Sequence, residues 1–177
     1  KTSQPSPQEF LDIFEEVKKK QEPLICLSLS SKLSGTYQSA CLAKDMVDYE
    51  NIYIVDTLTA AAGIRLLCEV AINWIGENRC VEDIVSGLEE LKERVHIYAG
   101  LDTLEYLAKG GRISKTAAAI GTLASIKPII CVDHGEVVVA GKTRGVKKAT
   151  SVVCEKMQSD IVDTLYPVYT LYSYGLE

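Results

Sequence analysis

The sequence predicts an α/β protein, in which a lobe with a parallel sheet of βαβ units is followed by a smaller α+β lobe with antiparallel strands. Two observations predict the first lobe: short apolar runs typical of buried strands, and longer helix-like segments that alternate with them. One observation predicts the second lobe, because two apolar runs flank the turn sequence DHGE, which is typical of a hairpin. We place the first lobe at residues 1–97 and the second at residues 98–177.

Signals for helices and strands give the elements of the first lobe in order. Ser6, Pro7 and Glu9 form a capping box at the start of a helix, with Ser6 as the N-cap residue. The remaining elements are a strand in PLICLSL, a helix from Gly35 to Val47, a strand in NIYIVDT, helices at Thr59–Ile75 and Val81–Arg94, and a strand in HIYAGL. This alternation of strands and helices predicts that the strands pair in parallel.

The second lobe begins after Leu101, where the character of the sequence changes. Asp102 and Glu105 predict the cap of a short helix, which Gly110 and Gly111 end. The later elements are a helix at Lys115–Ala124, a hairpin of IKPIICV and EVVVAGK, a basic helix at Arg144–Gln158, and a strand in YPVYTLYSY. Helices combined with a hairpin predict an α+β module.

Composition excludes several classes of protein. With 47% hydrophobic residues among 177, the chain can build a core, and its formal net charge of −5 argues against general binding to nucleic acids or anionic membranes. The sequence has no apolar run of the ~18–20 residues that a membrane span needs. We therefore expect a cytoplasmic protein with no nucleic-acid partner and at most transient membrane contact.

Cysteines and chain ends add two further expectations. The six cysteines are scattered without any C-x-x-C pair, which favours reduced, buried thiols over a disulfide framework or a metal site. The chain begins with KTSQPSP and stops at LYSYGLE, without an initiator methionine or a signal peptide. We interpret both ends as cut, so that the chain is part of a longer polypeptide.

A cluster of hydroxyl groups marks the junction between the first strand and the following helix. The sequence SLSSKLSGTYQSA, residues 28–40, holds five serines, one threonine and Gly35. Because a helix N-terminus presents unpaired N–H groups and a positive dipole end, Ser31, Ser34 and Thr36 can bind phosphate or carboxylate there without a lysine. The same residues also suit an ordinary helix cap, with Ser34 satisfying the first turn. The residues alone leave both interpretations open.

Two other segments carry groups that bind anions. In KGGRIS, residues 109–114, two glycines allow unusual backbone conformations, and the guanidinium group of Arg112 can bind an oxyanion through two hydrogen bonds. A helix end followed by a surface arginine explains the same sequence. The basic sequence KTRGVKK, residues 142–148, suits either a solvated helix start or docking to an acidic partner. GKT at residues 141–143 is not a phosphate loop, because Glu136 stands where the first glycine is needed.

Nucleophilic catalysis by the serines is a competing hypothesis, which would make the protein a serine-dependent hydrolase or a small-anion-binding enzyme. Such an enzyme needs a base within reach of Ser31 or Ser34. The chain holds only two histidines, His96 and His134, and no G-x-S-x-G elbow. We therefore predict no catalytic residue.

Several motifs occur together and in order: TSQPSP near Thr2, SSKLSGTYQSA, VDT at Val55–Thr57, LEYLAKGGRIS and IKPII. In this combination the chain resembles the DegV family, the fatty-acid-binding subunits of the bacterial fatty acid kinase system. The resemblance implies a non-enzymatic carrier that holds one long-chain fatty acid in a tunnel and needs no cofactor. A separate ATP-dependent kinase would supply the phosphoryl group, giving an acyl phosphate for phospholipid synthesis.

Site residues follow from the same resemblance. It implies that the hydroxyls of Thr2 and Ser34 hold the carboxylate, helped by backbone N–H groups around Gly35 and Thr36. It also implies that Arg112 lies near the head group and serves the phosphorylated product or the partner. The small residues of KTAAAIGTLASI, residues 115–126, suit either a tunnel wall or close helix packing. Family members are longer than this chain, so the first lobe is expected to be incomplete.

Overall fold

The computed structural model describes residues 3–114, 125–159 and 163–171. Its backbone forms two compact units, Lys1–Val95 and His96–Glu177. The first unit contains α1 (Pro7–Lys20), β1 (Leu24–Ser28), α2 (Thr36–Val47), β2 (Ile52–Asp56), α3 (Ala62–Gly76) and α4 (Val81–Lys92). The second contains β3 (Ile97–Gly100), α5 (Glu105–Lys109), β4 (Ile126–Asp133), β5 (Glu136–Arg144) and α6 (Val146–Ser159). The mixed α/β class predicted from the sequence is confirmed.

A parallel pair of strands lies at the centre of the first unit. β1 and β2 pair in parallel register, from Leu24 opposite Ile52 to Ser28 opposite Asp56. The carboxyl ends of both strands therefore meet at one edge of the sheet. In open α/β sheets this is the edge at which ligands bind.

Helices α1 and α2 pack side by side against this sheet and run in the same direction. The side chain of Gln4, just before α1, donates to Ser39 Oγ in α2 at 3.3 Å, and Lys18 Nζ near the end of α1 donates to Val47 O at 2.7 Å. Between these two ties, buried side chains form a core, comprising Leu11, Phe14, Ala40, Ala43, Val47 and Ile52. This packing fixes the start of α2 beside the chain that precedes α1.

Helix boundaries in the first unit agree with local signals at α1 and differ at α3. At α1 the Glu9 carboxylate accepts hydrogen bonds from the Ser6 N–H at 2.7 Å and the Ser6 hydroxyl at 3.0 Å, so the predicted N-terminus is confirmed. Helix α3 begins at Ala62, whereas the sequence predicted a start at Thr59. Leu58 and Ala61 have φ of 50° and 45°, values that interrupt a helix, and residues 57–61 therefore form a loop.

An antiparallel sheet in the order β3–β4–β5 organises the second unit. β3 pairs with β4, so the prediction that HIYAGL forms a third parallel strand is wrong. The hairpin of β4 and β5 is confirmed. His134 and Gly135 form its turn with φ of 45° and 85°, as a two-residue hairpin turn requires.

Two other expectations for the second unit also need correction. Asp102 does not cap α5: Thr103 Oγ1 accepts from the Glu105 N–H at 3.1 Å, while Asp102 pairs with Lys127 Nζ at 2.6 Å. Residues 166–171, the described part of the predicted strand YPVYTLYSY, form no helix or strand. The predicted helix at residues 115–124 lies outside the described residues.

All six cysteines are free thiols. Cys80 and Cys154 are exposed, so the expectation of buried thiols is wrong for these two, and the other four cysteines are half-buried. Among the described residues, the helices are too short or too polar for any to traverse a bilayer.

Candidate functional site

Two loops meet at the carboxyl edge of the parallel sheet. The first, residues 29–35, joins β1 to α2 and is called the hydroxyl turn below; the second, residues 57–61, joins β2 to α3. A backbone bond from the Ser30 N–H to Thr59 O, at 3.0 Å, links them. Residues 36–56 separate these loops in the sequence, and parallel pairing of β1 with β2 brings them together.

Ser34 and Thr36 form a hydroxyl pair at the N-terminus of α2. Their side-chain oxygens lie 2.8 Å apart, and Ser34 Oγ also accepts from the Thr36 N–H at 3.3 Å. Because one hydroxyl donates to the other, the pair keeps one hydroxyl proton for a further acceptor. Both side chains are half-buried, so that acceptor can approach from outside.

Gly35 is the N-cap residue of α2, and its lack of a side chain leaves room for a neighbour. A Cβ at this position would overlap the side-chain amide of Gln4. Gln4 therefore covers the start of α2 while its amide nitrogen bonds Ser39 Oγ. A polar side chain from the N-terminal segment thus lies directly beside the hydroxyl pair.

An acidic residue ties the two loops together. Asp56, the last residue of β2, accepts from the Ser31 N–H at 3.0 Å and from the Leu58 N–H at 3.2 Å, both through Oδ1. The hydroxyl turn itself contains no acidic residue. The carboxylate of Asp56 lies beside it because β1 and β2 are adjacent strands. Asp56 therefore holds the turn that carries Ser34.

Other hydroxyls of the region serve the fold itself. Thr57 Oγ1 donates to Ser28 O at 2.7 Å, and Ser28 Oγ donates to Val55 O at 3.2 Å. Ser28, Ser30 and Thr57 are all buried. Part of the serine and threonine content is thus explained by loop bonding, whereas Ser31, Ser34 and Thr36 are half-buried.

Two ionisable side chains near the site, Tyr37 on α2 and Cys26 on β1, keep their protons at physiological pH. The pKa of Tyr37 is raised, first by its hydrogen bond with Cys41, then by burial and by the nearby Asp56 and Glu89 charges. The pKa of Cys26 is raised because its thiol is buried. Neither group is suited to act as a base or a thiolate nucleophile.

The predicted site residues fall into three groups. Ser34, Gly35 and Thr36 lie together at the start of α2. Thr2 lies outside the described residues. Arg112 belongs to the second unit, where it is exposed after α5 and its guanidinium donates to Gly110 O.

Sequence reasoning missed Gln4, Asp56 and Thr59 as neighbours of the hydroxyl turn. One signal was available for Asp56, because the last residue of a parallel strand lies at the edge where ligands bind. No local signal indicated Gln4, whose contact with Gly35 depends on the packing of α1 on α2. Both histidines, His96 and His134, belong to the second unit and are exposed.

Comparison with known proteins gives relatives that share this sequence and fold. The sequence model of the DegV family of uncharacterised proteins matches residues 1–175. A DegV domain-containing protein of Clostridium acetobutylicum is 40% identical over 159 residues, which cover 90% of this chain and 57% of that protein. A fatty acid-binding protein of Thermotoga maritima is 37% identical over 163 residues, which cover 90% of this chain and 56% of that protein.

A solved structure supports the same relationship. The fatty-acid-binding DegV family protein of Thermus thermophilus matches with a TM-score of 0.80 and 35% identity, over 89% of this chain and 56% of that one. This chain thus spans a little more than half the length of these relatives. On the match to residues 1–175, the chain belongs to the DegV family.

Proposed function

We propose that this chain is part of a carrier for a long-chain fatty acid, with the carboxylate held at the start of α2. Ser34, Thr36, the N–H of Gly35 and the hydroxyl of Thr2 are the proposed donors. The observation that carries the proposal is the half-buried hydroxyl pair of Ser34 and Thr36, which keeps one proton for an acceptor. Named relatives that bind fatty acids supply the class of ligand.

A carboxylate suits this position without a cationic side chain. The N-terminus of α2 carries the equivalent of roughly half a positive charge, which favours an anion by about 0.3–1 kcal/mol near the surface. Hydrogen bonds to an ionised carboxylate are about twice as strong as bonds between neutral groups. A ligand oxygen that replaces Ser34 Oγ as the acceptor of the Thr36 N–H would exchange a long 3.3 Å bond for a charge-assisted one.

The N-terminal segment supports a role for Thr2. Gln4 lies two positions later in the sequence and contacts both Gly35 and Ser39 at the start of α2. The segment that includes Thr2 is therefore proposed to complete the carboxylate site. Its hydroxyl would add a second side-chain donor from a different part of the chain.

The acyl tail would supply most of the affinity. Burying about fifteen methylenes at about 0.8 kcal/mol each gives on the order of 10 kcal/mol. Association costs of roughly 4–15 kcal/mol oppose this gain. The carboxylate site then fixes the orientation of the acid more than its affinity, and keeps the head group accessible to another enzyme.

We further propose that an ATP-dependent kinase partner phosphorylates the bound acid to an acyl phosphate for phospholipid synthesis, in a bacterial cytoplasm. Arg112 is assigned to the phosphorylated product or to the partner, because a guanidinium binds phosphate through two parallel hydrogen bonds. Its exposed position after α5 supports a role toward an external group. In this scheme the carrier performs no chemistry of its own.

Lipid analysis tests the proposal directly. Protein purified from cells is expected to release a long-chain fatty acid on extraction, detected by mass spectrometry. Thr2→Ala combined with Ser34→Ala is expected to raise the Kd of palmitate at least tenfold. The Kd is measured by competition with a fluorescent fatty acid whose own Kd is determined for each variant. Ser31→Ala is the matched control, since Ser31 meets Asp56 through its backbone N–H, which alanine retains.

Two results would count against the carrier. One is an absence of both extracted lipid and fluorescent displacement in the wild-type protein. The other is hydrolysis of acyl esters or phosphates by the purified protein without any partner, which would support the serine-dependent hydrolase instead.

A further inference from the structure

The β2–α3 loop contains a buried hydroxyl that the proposed carboxylate site does not use. Thr59 is 1% exposed, and its Oγ1 has no hydrogen-bond partner. Within the described ranges, the Oγ1 of Thr143 in the second unit is the only other buried side-chain oxygen or nitrogen without a hydrogen-bond partner. Because buried polar groups are nearly always paired, an unpaired hydroxyl in a folded protein calls for an explanation such as a ligand atom.

The Thr59 hydroxyl lies against the first turn of α3. A Cβ on Gly63, the second residue of that 15-residue helix, would overlap Thr59 Oγ1. Only glycine therefore leaves the hydroxyl its present position. The Gly63 N–H itself already donates to Ala60 O at 2.9 Å, so the first turn of α3 attracts an anion through the positive end of its dipole. The hydroxyl and the helix end together favour a negatively charged oxygen.

Thr59 is joined through backbone bonds to the turn that carries Ser34. The Ser34 N–H donates to Ser30 O at 3.1 Å, and the Ser30 N–H donates to Thr59 O at 3.0 Å. With a single residue between the two bonds, the Ser34 nitrogen lies within roughly 10 Å of Thr59 O. A carboxylate that accepts one hydrogen bond at each oxygen bridges donors up to roughly 8 Å apart, so it can use both hydroxyls when they lie within that distance.

A ligand reaches this hydroxyl only when the loop parts from α3. Leu58 and Ala61, on either side of Thr59, both hold backbone conformations with positive φ that are unfavourable for side chains of their kind. Opening the loop would relax these residues. The strain at these two residues would assist such an opening.

We infer that Thr59 is a specificity-determining residue of the head-group site: its hydroxyl, with the first turn of α3, binds the second oxygen of the fatty-acid carboxylate. The first oxygen is held by the Ser34–Thr36 pair. The inference rests on the proposed function. It assigns the two oxygens of one carboxylate to the N-termini of two different helices.

Thr59→Val tests this assignment, because valine keeps the shape of threonine and removes only the hydroxyl. In displacement of a fluorescent fatty acid, palmitate is expected to bind Thr59→Val at least tenfold more weakly than wild type, a change of about 1.4 kcal/mol. Thr59→Ser, which keeps a hydroxyl, is expected to bind within threefold of wild type. Thr143→Val, which removes the other buried unpaired hydroxyl, is the control and is expected to bind as wild type does.

Stability without ligand separates a binding role from a structural one. Since the Thr59 hydroxyl has no partner, Thr59→Val is expected to unfold in urea at the same midpoint as wild type or at a higher one. Wild-type affinity in Thr59→Val would overturn the inference and leave the proposed function intact. Weaker binding accompanied by a lower urea midpoint would make the hydroxyl structural and would also overturn it. A wild-type protein that binds no fatty acid would overturn the proposed function, and this inference with it.

Discussion

Asp56 provides the clearest test of how the two loops of the site are held. One carboxylate oxygen, Oδ1, accepts both the Ser31 N–H at 3.0 Å and the Leu58 N–H at 3.2 Å. Asp56→Ala leaves both donors without their acceptor in a half-buried place. At about 1–2 kcal/mol for each lost bond, we expect the free energy of unfolding to fall by about 2–4 kcal/mol.

Asp56→Asn separates the acceptor from the charge. The asparagine side chain places a carbonyl oxygen where Oδ1 stands, so both N–H groups keep an acceptor. The expected loss in free energy of unfolding is about 1–2 kcal/mol, since each of the two bonds exchanges a charged acceptor for a neutral one at up to about 1 kcal/mol. Because the substitution also removes a negative charge close to α2, palmitate is expected to bind Asp56→Asn at least as tightly as wild type.

Urea denaturation monitored by tryptophan fluorescence is a suitable assay. The chain has one tryptophan, Trp74, which lies on α3 in the same unit, with the Arg79 guanidinium 4.9 Å from its ring centroid. Equal midpoints for Asp56→Ala and wild type would refute the claim that Asp56 holds the loops. An Asp56→Asn variant as unstable as Asp56→Ala would show that the charge, not the shared acceptor, matters.

Three further predictions concern neighbouring groups. Gly35→Ala places a methyl group where the Gln4 amide lies, so it is expected to weaken palmitate binding. Gln4→Ala added to this variant is expected to restore part of the lost affinity. A Gly35→Ala protein with wild-type affinity would contradict the contact. Thr57→Val removes the buried 2.7 Å bond to Ser28 O and is expected to lower the free energy of unfolding by about 1–3 kcal/mol in urea, whereas Thr57→Ser is expected to lose less. Burial raises the pKa of Cys26 above its ordinary 9.0, so its contribution to stability is complete below that pH and is lost as the pH rises through the folded-state pKa. Alkaline titration of Cys26→Ala is expected to lack this loss, and Cys26 in the wild type is expected to react with iodoacetamide more slowly than exposed Cys154; equal rates would contradict the burial of Cys26.

Features that depend on neighbouring residues were predictable from the sequence. The capping box of Ser6 and Glu9 and the turn at His134–Gly135 both use bonds or dihedral angles within four residues. The position of Ser34, Gly35 and Thr36 at the start of α2 follows from the same kind of local signal. Sequence reasoning therefore placed these three residues correctly at a strand–helix junction, and their role in binding stays a prediction.

Features that depend on distant partners were not predictable in this way. The apolar run of β3 fits a parallel and an antiparallel sheet equally well, and only its pairing with β4 decides between them. Asp102 has the chemistry of an N-cap residue, but Lys127 from β4 pairs with its carboxylate instead. The late start of α3 depends on positive φ at Leu58 and Ala61, where the sequence has no glycine to indicate such a turn.

A crystal structure of the protein with bound palmitate tests the central claim most directly. The account predicts a carboxylate oxygen within hydrogen-bond distance of Ser34 Oγ or Thr36 Oγ1, at the N-terminus of α2. A head group bound elsewhere, with the hydroxyl pair still bonded only to itself, would contradict it.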